Sequence, residues 1–230
     1  MTVTSQNESG AVQSGATVTA VCVVHSFHDE PTNPDGLTAI DKRPIEGRIT
    51  VGLLGVAGDT QLDTRHHGGQ EQAVYAYADE DAAWWAAELG RDVTPGLFGE
   101  NLRTSGIDVT GAEIGERWRV GGPDGVLLQV TSPRVPCATF QRRVGEPHWV
   151  KRFTDRGAPG AYLAVLQTGG IAAGDAVVVE FRPGHGVTLA DAFLRPEPAT
   201  MQRLLDAEQA GVVELTPKMR EHSLKAVARS

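Results

Sequence analysis

Short apolar runs separated by turn-forming residues occupy most of the chain between Val18 and Pro183. The runs are VTAVCVVH, RITVGLLG, AVYAYA, RWRVGG, VLLQVTS, AYLAVLQ and DAVVVEF. They are rich in residues that favour pleated strands, and Gly, Pro, Asp and Asn lie between them. Helices do not alternate with them regularly, as they would in a parallel α/β fold. We therefore expect a mainly β fold, either a barrel or a sandwich.

Three segments within this region predict helices. DEDAAWWAAELG begins with acidic residues, ends at Gly90 and places apolar residues on one face at helical spacing. ATFQRRVG, which ends at Gly145, and the residues near 148–156 predict two shorter helices. A few helices therefore accompany the strands.

The composition divides the chain into three parts. Residues 1–16 are rich in Ser, Thr, Gly and Gln without periodicity, which indicates a flexible tail. Residues 17–183 carry the strand pattern. Residues 184–230 carry helix signals instead, among them a capping box at Thr188 and Asp191. We expect a small all-α domain of three helices to follow the β domain.

Charge, hydropathy and cysteine content exclude several classes of protein. The net charge of -8 argues against nucleic acid as a partner. The first 20 residues lack the features of a signal peptide, and no run approaches the roughly 18 apolar residues of a membrane span. The two cysteines match no disulfide framework or zinc spacing, and Cys22 lies in an apolar run typical of a core. We expect a soluble, cytoplasmic protein with no membrane partner and no disulfide.

The second cysteine, Cys137, lies in SPRVPCATFQRRVG. Pro133 and Pro136 stiffen its approach, which a simple core position does not require. The helix dipole and Arg134 would stabilise a thiolate there, so that it could act as a metal ligand or nucleophile. A buried structural cysteine at the start of a helix is equally consistent with this segment alone.

Two glycine-containing segments could contact a ligand. In RHHGG, the adjacent His66 and His67 would point to opposite faces of an extended segment, which disfavours a shared zinc ion. Their imidazoles and the flexible backbone at Gly68 would suit an anion. In FGENL, Glu100 and Asn101 could expose a carboxylate and an amide at the start of a strand. A polar hairpin loop and an ordinary β-turn would give similar sequences.

Positive charge is concentrated between Arg134 and Arg156, where six basic residues accompany two acidic ones. Such a region on an acidic protein suggests a small anionic ligand. A solvated helix face would carry similar charges, and the count alone favours that second interpretation.

Together, five motifs carry a resemblance that no single one does: KRPIEG (42–47), RHHGG (65–69), FGENL (98–102), PRVPC (133–137) and KRFTDRG (151–157). In order and approximate spacing they resemble the MOSC family, in its YiiM-like branch, over about residues 20–182. The helical segment from HGVTLADAF onward is similar to the three-helix domain that often follows MOSC in that branch. The resemblance implies a β-barrel-like domain with a few helices, followed by that all-α domain.

The resemblance also implies the molybdenum cofactor, in which the dithiolene of a phosphate-bearing pterin (molybdopterin) holds the metal. Cys137 matches the family cysteine that supplies a thiolate to molybdenum. Arg134 and Asn101 are implied to lie near the cofactor. The residues implied for its anion and pterin cradle are Lys42, Arg43, His66, His67 and Gly68.

Proteins of this branch are similar to reductases of N-hydroxylated compounds, which implies conversion of N–OH to N–H and water. His66 or His67 could deliver the protons, because an imidazole titrates near neutral pH. The chain has no iron–sulfur cysteine array, dinucleotide fingerprint or flavin motif, so we expect a separate reductase or ferredoxin-type electron donor. Two alternatives stay open: a sulfur transferase that carries a persulfide on Cys137, and a non-catalytic carrier of the cofactor.

Overall fold

The computed structural model describes residues 15–31, 33, 36–60, 62, 68–193 and 196–229. Within them, the strands are β1 (Thr17–Asp29), β2 (Leu37–Pro44), β3 (Ile49–Gly52), β4 (Gly55–Val56), β5 (Val74–Ala78), β6 (Leu102–Ser105), β7 (Arg117–Val120), β8 (Val126–Pro133), β9 (Ala161–Gln167), β10 (Gly169–Ile171) and β11 (Val177–Phe181). The helices are α1 (Asp79–Leu89), α2 (Ala138–Val144), α3 (Trp149–Arg156), α4 (Leu189–Ala192), α5 (Pro198–Gln209) and α6 (Pro217–Val227), and a turn of 3-10 helix spans Gln70–Gln72.

The main sheet has the strand order β11-β7-β8-β9-β5-β6-β1-β2, in which only β5 and β6 pair in parallel, and β10, β3 and β4 form a smaller sheet. The prediction of a mainly β fold with several helices is confirmed. The expected barrel is wrong, because within the described ranges no continuous ladder joins the two edge strands, β11 and β2. β1 pairs with β6 over Thr17–Val21 and then leaves it to pair with β2 over Cys22–Asp29. The start of β1 contacts the segment before β11 through an isolated bridge, between Thr17 and Ala176, and a few backbone hydrogen bonds, but these do not form a strand ladder.

The ends of the strand and helix regions follow local chemistry. Helices α1 and α2 end at Gly90 and Gly145, both in the left-handed conformation that glycine adopts without strain. The capping box at Thr188 and Asp191 is present at the start of α4.

Residues 1–14 of the predicted tail lie outside the described residues, while Ala16 is buried and accepts a hydrogen bond from the backbone of the strand β11. None of the described helices has the length and apolar character needed to cross a bilayer.

An aromatic cluster fixes α1, α2 and α3 against β5. The rings of Trp85 and Phe153 lie almost parallel, with 8° between their planes and 6.1 Å between their centroids. Edge-on contacts connect Phe140 of α2 to the same group, which stabilises the packing beyond the burial of apolar area. The large aromatic side chains of the cluster are Tyr75, Tyr77, Trp85, Phe98, Phe140, Trp149, Phe153 and Phe193.

The three C-terminal helices share one cluster of buried side chains with the sheet. Leu189, Met201 and Leu204 belong to the cluster that also contains Trp118 of β7 and Leu128 of β8. The backbone is continuous with the β region as well, since residues 187 and 189 exchange hydrogen bonds with residues 112 and 114. The predicted helices are present. Their division from the β region at residues 183 and 184 stays a prediction.

Deletion of residues 187–230 tests that division. We expect the truncated protein to lack a cooperative thermal transition, because it exposes the sheet side of the shared cluster. Each large apolar side chain removed from a core costs about 2–5 kcal/mol, and a whole domain is stable by only about 5–15 kcal/mol. Circular dichroism during heating measures the transition. A truncated protein that melts like the full chain would show that the helices form an independent domain.

Candidate functional site

A cavity of about 530 Å³ opens between β2, the segment after β8 and the start of α2. Backbone and side chains from distant parts of the sequence converge there. The cavity brings together these residues predicted from sequence: Lys42, Gly68, Asn101, Arg134 and Cys137. His66 and His67 lie outside the described residues.

Cys137 occupies the position before the first residue of α2, in an extended conformation, and is partly buried. Pro133 ends β8, and Pro136 lines the cavity beside the cysteine. The predicted placement of this thiol at the start of a helix is confirmed. Because the side chain lines the cavity, the thiol can reach a ligand that enters from solvent.

The other cysteine has the environment of a core residue. Cys22 has no exposed surface, and burial raises its pKa to about 12. An unfolded thiol loses its proton near the ordinary pKa of 9.0, whereas the folded protein keeps the Cys22 proton until about 12. Because the folded state holds this proton more tightly, the free energy of unfolding falls as the pH rises between those two values.

The two environments predict selective alkylation. At about pH 8, we expect iodoacetamide to modify Cys137 in the folded, metal-free protein and to leave Cys22 unmodified, because the thiolate is the reactive species and Cys22 is sealed from solvent. Peptide mass spectrometry after a timed reaction measures both sites. Unfolding in guanidinium chloride should make the two rates similar. Fast modification of Cys22 in the folded protein would contradict its burial.

Arg134 is a buried cation in the cavity wall. The residue is only 5% exposed, and its guanidinium carbon lies 4.8 Å from the ring centroid of Tyr75 and 4.1 Å from that of Phe140. Its Nη1 group donates a hydrogen bond to the carbonyl of Phe98, while Nε has no hydrogen-bond partner among the described residues. No carboxylate among the described residues forms an ion pair with Arg134. An anion in the cavity would compensate a buried charge that is otherwise costly.

A second buried cation, Lys42, is neutralised by the protein. Its Nζ group lies 2.6 Å from Oδ2 of Asp59, which also accepts a hydrogen bond of 2.8 Å from the Asn101 amide. Burial lowers the pKa of Lys42 and the charge of Asp59 opposes that shift. The Asn101 side chain also bonds to the backbone of Tyr75 and Cys22, so its polar atoms are used in holding β1, β5 and Asp59 together. The sequence patterns did not single out Asp59, whose partner Lys42 lies 17 residues earlier in the chain.

Glu100 differs from the expectation of an exposed carboxylate. The residue is fully buried, and its oxygens accept hydrogen bonds from the backbone N–H groups of Gly96 and Phe98 and from the guanidinium of Arg103. A carboxylate that binds its own loop in this way is unavailable to a ligand. Glu100 therefore shapes the loop that brings Gly99 to the cavity.

Arg43 lies on the opposite face of β2 from Lys42. Successive side chains of a strand point to opposite faces, so only one of these two residues can face the cavity. The Arg43 side chain is 57% exposed and its Nη2 group lies 3.5 Å from Asp41. The structure does not bring Arg43 to the cavity.

The basic cluster predicted between Arg134 and Arg156 is mostly neutralised by carboxylates. Every member except Arg134 has a carboxylate partner, which corrects the interpretation that the whole cluster surrounds an anionic ligand. The pairs are Arg142 with Glu30, Arg143 with Asp41, Lys151 with Asp155, Arg152 with Glu88 and Glu146, and Arg156 with Asp81.

Comparison with known proteins places the chain in a family. The model of the MOSC domain matches residues 63–178. The chain is 30% identical over 152 residues to the uncharacterized protein YflK of Bacillus subtilis (strain 168). That match covers 66% of this chain and 67% of YflK. It is 29% identical over 198 residues to a protein named Reductase from Gibberella moniliformis (strain M3125 / FGSC 7600). That match covers 84% of this chain but only 35% of the larger protein.

The fold extends this similarity over almost the whole chain. The crystal structure of YiiM from Geobacillus stearothermophilus superposes with a TM-score of 0.72 at 25% sequence identity. The superposition covers 92% of this chain and 98% of YiiM. Because the family model matches 116 of the 230 residues, which is more than half of them, this chain belongs to the MOSC domain family.

Proposed function

We propose that this protein is a molybdenum-cofactor-dependent reductase that converts N-hydroxylated compounds to the corresponding N–H compounds and water. One observation carries the proposal: a partly exposed thiol, Cys137, lines the same cavity as Arg134, a buried cation without a carboxylate partner in the described part of the chain. Membership of the MOSC family supports the cofactor, with which MOSC domains are generally associated. The relative named Reductase supports the reaction type.

The donor groups in the cavity fit an anionic cofactor that holds a soft metal. Cys137 offers sulfur, and thiolates prefer soft metals over the hard cations that carboxylates bind. Arg134 offers a fork of N–H donors, which suits phosphate, and its buried Nε group has no hydrogen-bond partner among the described residues. We propose that Cys137 binds molybdenum, and that Arg134 and the backbone at Gly68 hold the anionic part of the cofactor, since Asp59 already neutralises Lys42.

The bound cofactor would supply two-electron chemistry at its metal. The chain's own residues bind the reactants and control their surroundings. Ile40, Val135 and Tyr162 form an apolar part of the cavity, which would hold the organic part of a substrate and exclude water. Two electrons and two protons convert N–OH to N–H and water. Proton delivery by His66 or His67 stays a prediction.

The proposed reduction needs a source of two electrons. Four cysteines typically hold an iron–sulfur cluster, whereas the whole chain has two, and one of these is Cys22 in the core. We therefore propose a separate reductase or ferredoxin-type donor. In the laboratory a chemical reductant can replace this partner.

An activity screen tests the proposed reaction. The full-length protein, loaded with cofactor in the expression host, is mixed with reduced viologen dye and with a panel of hydroxylamines and amidoximes. We expect dye oxidation that depends on the substrate, with one amine or amidine formed for each pair of electrons. Molybdenum-loaded protein that reduces none of these compounds would refute the reductase and favour a cofactor carrier.

A sulfur transferase is the second candidate, because a partly exposed thiol such as Cys137 could also carry a persulfide. That function requires sulfane sulfur on Cys137 and no retained metal. Cyanide-releasable sulfur, measured on freshly purified protein, separates it from the reductase.

A further inference from the structure

Helix α2 is the element that places the Cys137 thiol, because the cysteine immediately precedes its first residue. One face of α2 is apolar: Phe140 and Val144 are buried in the aromatic cluster. The last turn carries Arg142 and Arg143, which extend away from that cluster to carboxylates on a different element.

Arg142 binds the residue that follows β1. Its Nε group donates to Oε2 of Glu30 at 3.0 Å, and its Nη2 group donates to Oε1 of the same carboxylate. Glu30 is 1% exposed. Two parallel N–H donors fix the orientation of an arginine as well as its distance, so this contact restrains α2 more than a single ion pair would.

Arg143 binds the adjoining strand. Its Nη2 group donates to Oδ1 of Asp41 in β2 at 2.6 Å. The other oxygen of Asp41 accepts hydrogen bonds from Ser26 Oγ at 2.7 Å and His28 Nε2 at 3.1 Å, and Arg43 lies nearby. Burial raises the pKa of Asp41, but these hydrogen bonds and the charge of Arg143 outweigh it and hold that pKa well below its ordinary value. The carboxylate is therefore ionised at neutral pH.

Both carboxylates belong to the hairpin formed by β1 and β2, which also lines the cavity. Thr38, Ile40 and Lys42 of β2 form one part of the wall, and residues 135–139 form another. The two ion pairs therefore join two segments of the cavity wall that lie more than 100 residues apart in sequence, at separations of 112 and 102 residues.

We propose that Arg142 and Arg143 are positioning residues, whose ion pairs with Glu30 and Asp41 hold α2 against the β1–β2 hairpin and so fix the Cys137 thiol in the cavity wall. Only the purpose of the fixed thiol, metal binding, rests on the proposed function. Reacting groups must be held to within a fraction of an ångström, so a restraint on α2 would affect how the thiol meets its ligand.

The rate of alkylation of Cys137 tests the proposal on metal-free, full-length protein. All variants carry Cys22→Ala, so that Cys137 is the single thiol. One variant removes the two cations (Arg142→Gln with Arg143→Gln), and a second removes the two carboxylates (Glu30→Gln with Asp41→Asn). Lys151→Gln is the matched control, because it breaks the exposed ion pair with Asp155 within α3 and leaves the hairpin untouched.

The two variants separate positioning from simple electrostatics. Loss of positive charge near a thiol reduces its thiolate population and slows alkylation, whereas loss of negative charge does the opposite. A loosened helix instead exposes the thiol in both cases. We expect both variants to react about tenfold faster than the parent, and the control to react at the parent rate. Slower reaction of the first variant with faster reaction of the second, or unchanged rates in both, would overturn the proposal.

Milder substitutions keep the test available if a double variant does not fold. Arg142→Gln and Glu30→Gln then break one ion pair from each side. Faster alkylation of Cys137 in both variants supports the proposal, and opposite changes in the two rates contradict it. Arg142→Lys keeps the charge without the planar fork that binds Glu30, and we expect its rate to lie between those of the parent and of Arg142→Gln. Wild-type protein that lacks molybdenum would refute the proposed function but would leave this comparison of rates unaffected.

Discussion

Cys137→Ala is expected to lose both molybdenum and reductase activity. Removal of the sulfur leaves the cavity with no soft ligand among its described lining residues. Loss of a hydrogen-bond partner that only orients a metal ligand already weakens metal binding or activity about 10–100-fold. We therefore expect activity with reduced viologen to fall at least about 100-fold. Metal analysis by mass spectrometry and the dye assay on the same sample measure the two effects.

Cys22→Ala is the matched control for this variant. It removes the same atoms from a fully buried position that does not line the cavity, so molybdenum content and activity should stay at the wild-type level. Some stability should be lost, since a small buried group leaves a void. Full activity of Cys137→Ala would refute the assignment of its thiol as a metal ligand.

Arg134→Met is expected to separate cofactor binding from stability. The variant loses the donors proposed for the anionic part of the cofactor, so we expect its molybdenum content to fall about tenfold or more. The metal-free protein should be at least as stable as the wild type. A buried cation without a counter-charge destabilises the fold, and its replacement by an apolar side chain of similar volume is often neutral or stabilising by about 1–4 kcal/mol.

Thermal melts of the metal-free proteins and metal analysis of the loaded ones measure these opposite effects. Arg119→Met serves as the control, because Arg119 is bound to Glu180 outside the cavity. It should leave molybdenum content unchanged. A strongly destabilised Arg134→Met protein that still holds the wild-type amount of molybdenum would show that Arg134 is a purely structural residue.

Sequence patterns predicted those features that depend on neighbouring residues. Gly90 and Gly145 end helices because glycine adopts the left-handed conformation, and Thr188 caps one because its hydroxyl reaches a backbone N–H group. The prolines around Cys137 similarly distinguished it from Cys22, and the structure places only Cys137 beside the cavity.

Features that depend on distant residues could not be read from the sequence. Arg142 and Arg143 look like a ligand-binding charge cluster until their partners, over 100 residues earlier, are known. The choice between Lys42 and Arg43 depends on which face of β2 is turned inward, and the motif that contains both residues does not specify it. Strand content predicted a barrel or a sandwich and the resemblance implied a barrel, whereas closure depends on how β1 divides its pairing.

Elemental analysis of freshly purified, full-length wild-type protein, from a host that makes the molybdenum cofactor, is the most direct test of Cys137 as the ligand of a resident metal. We expect about one molybdenum atom per chain, and a Cys137 thiol that iodoacetamide modifies only after the metal is removed. A molybdenum-free protein that carries sulfane sulfur on Cys137 would contradict this assignment.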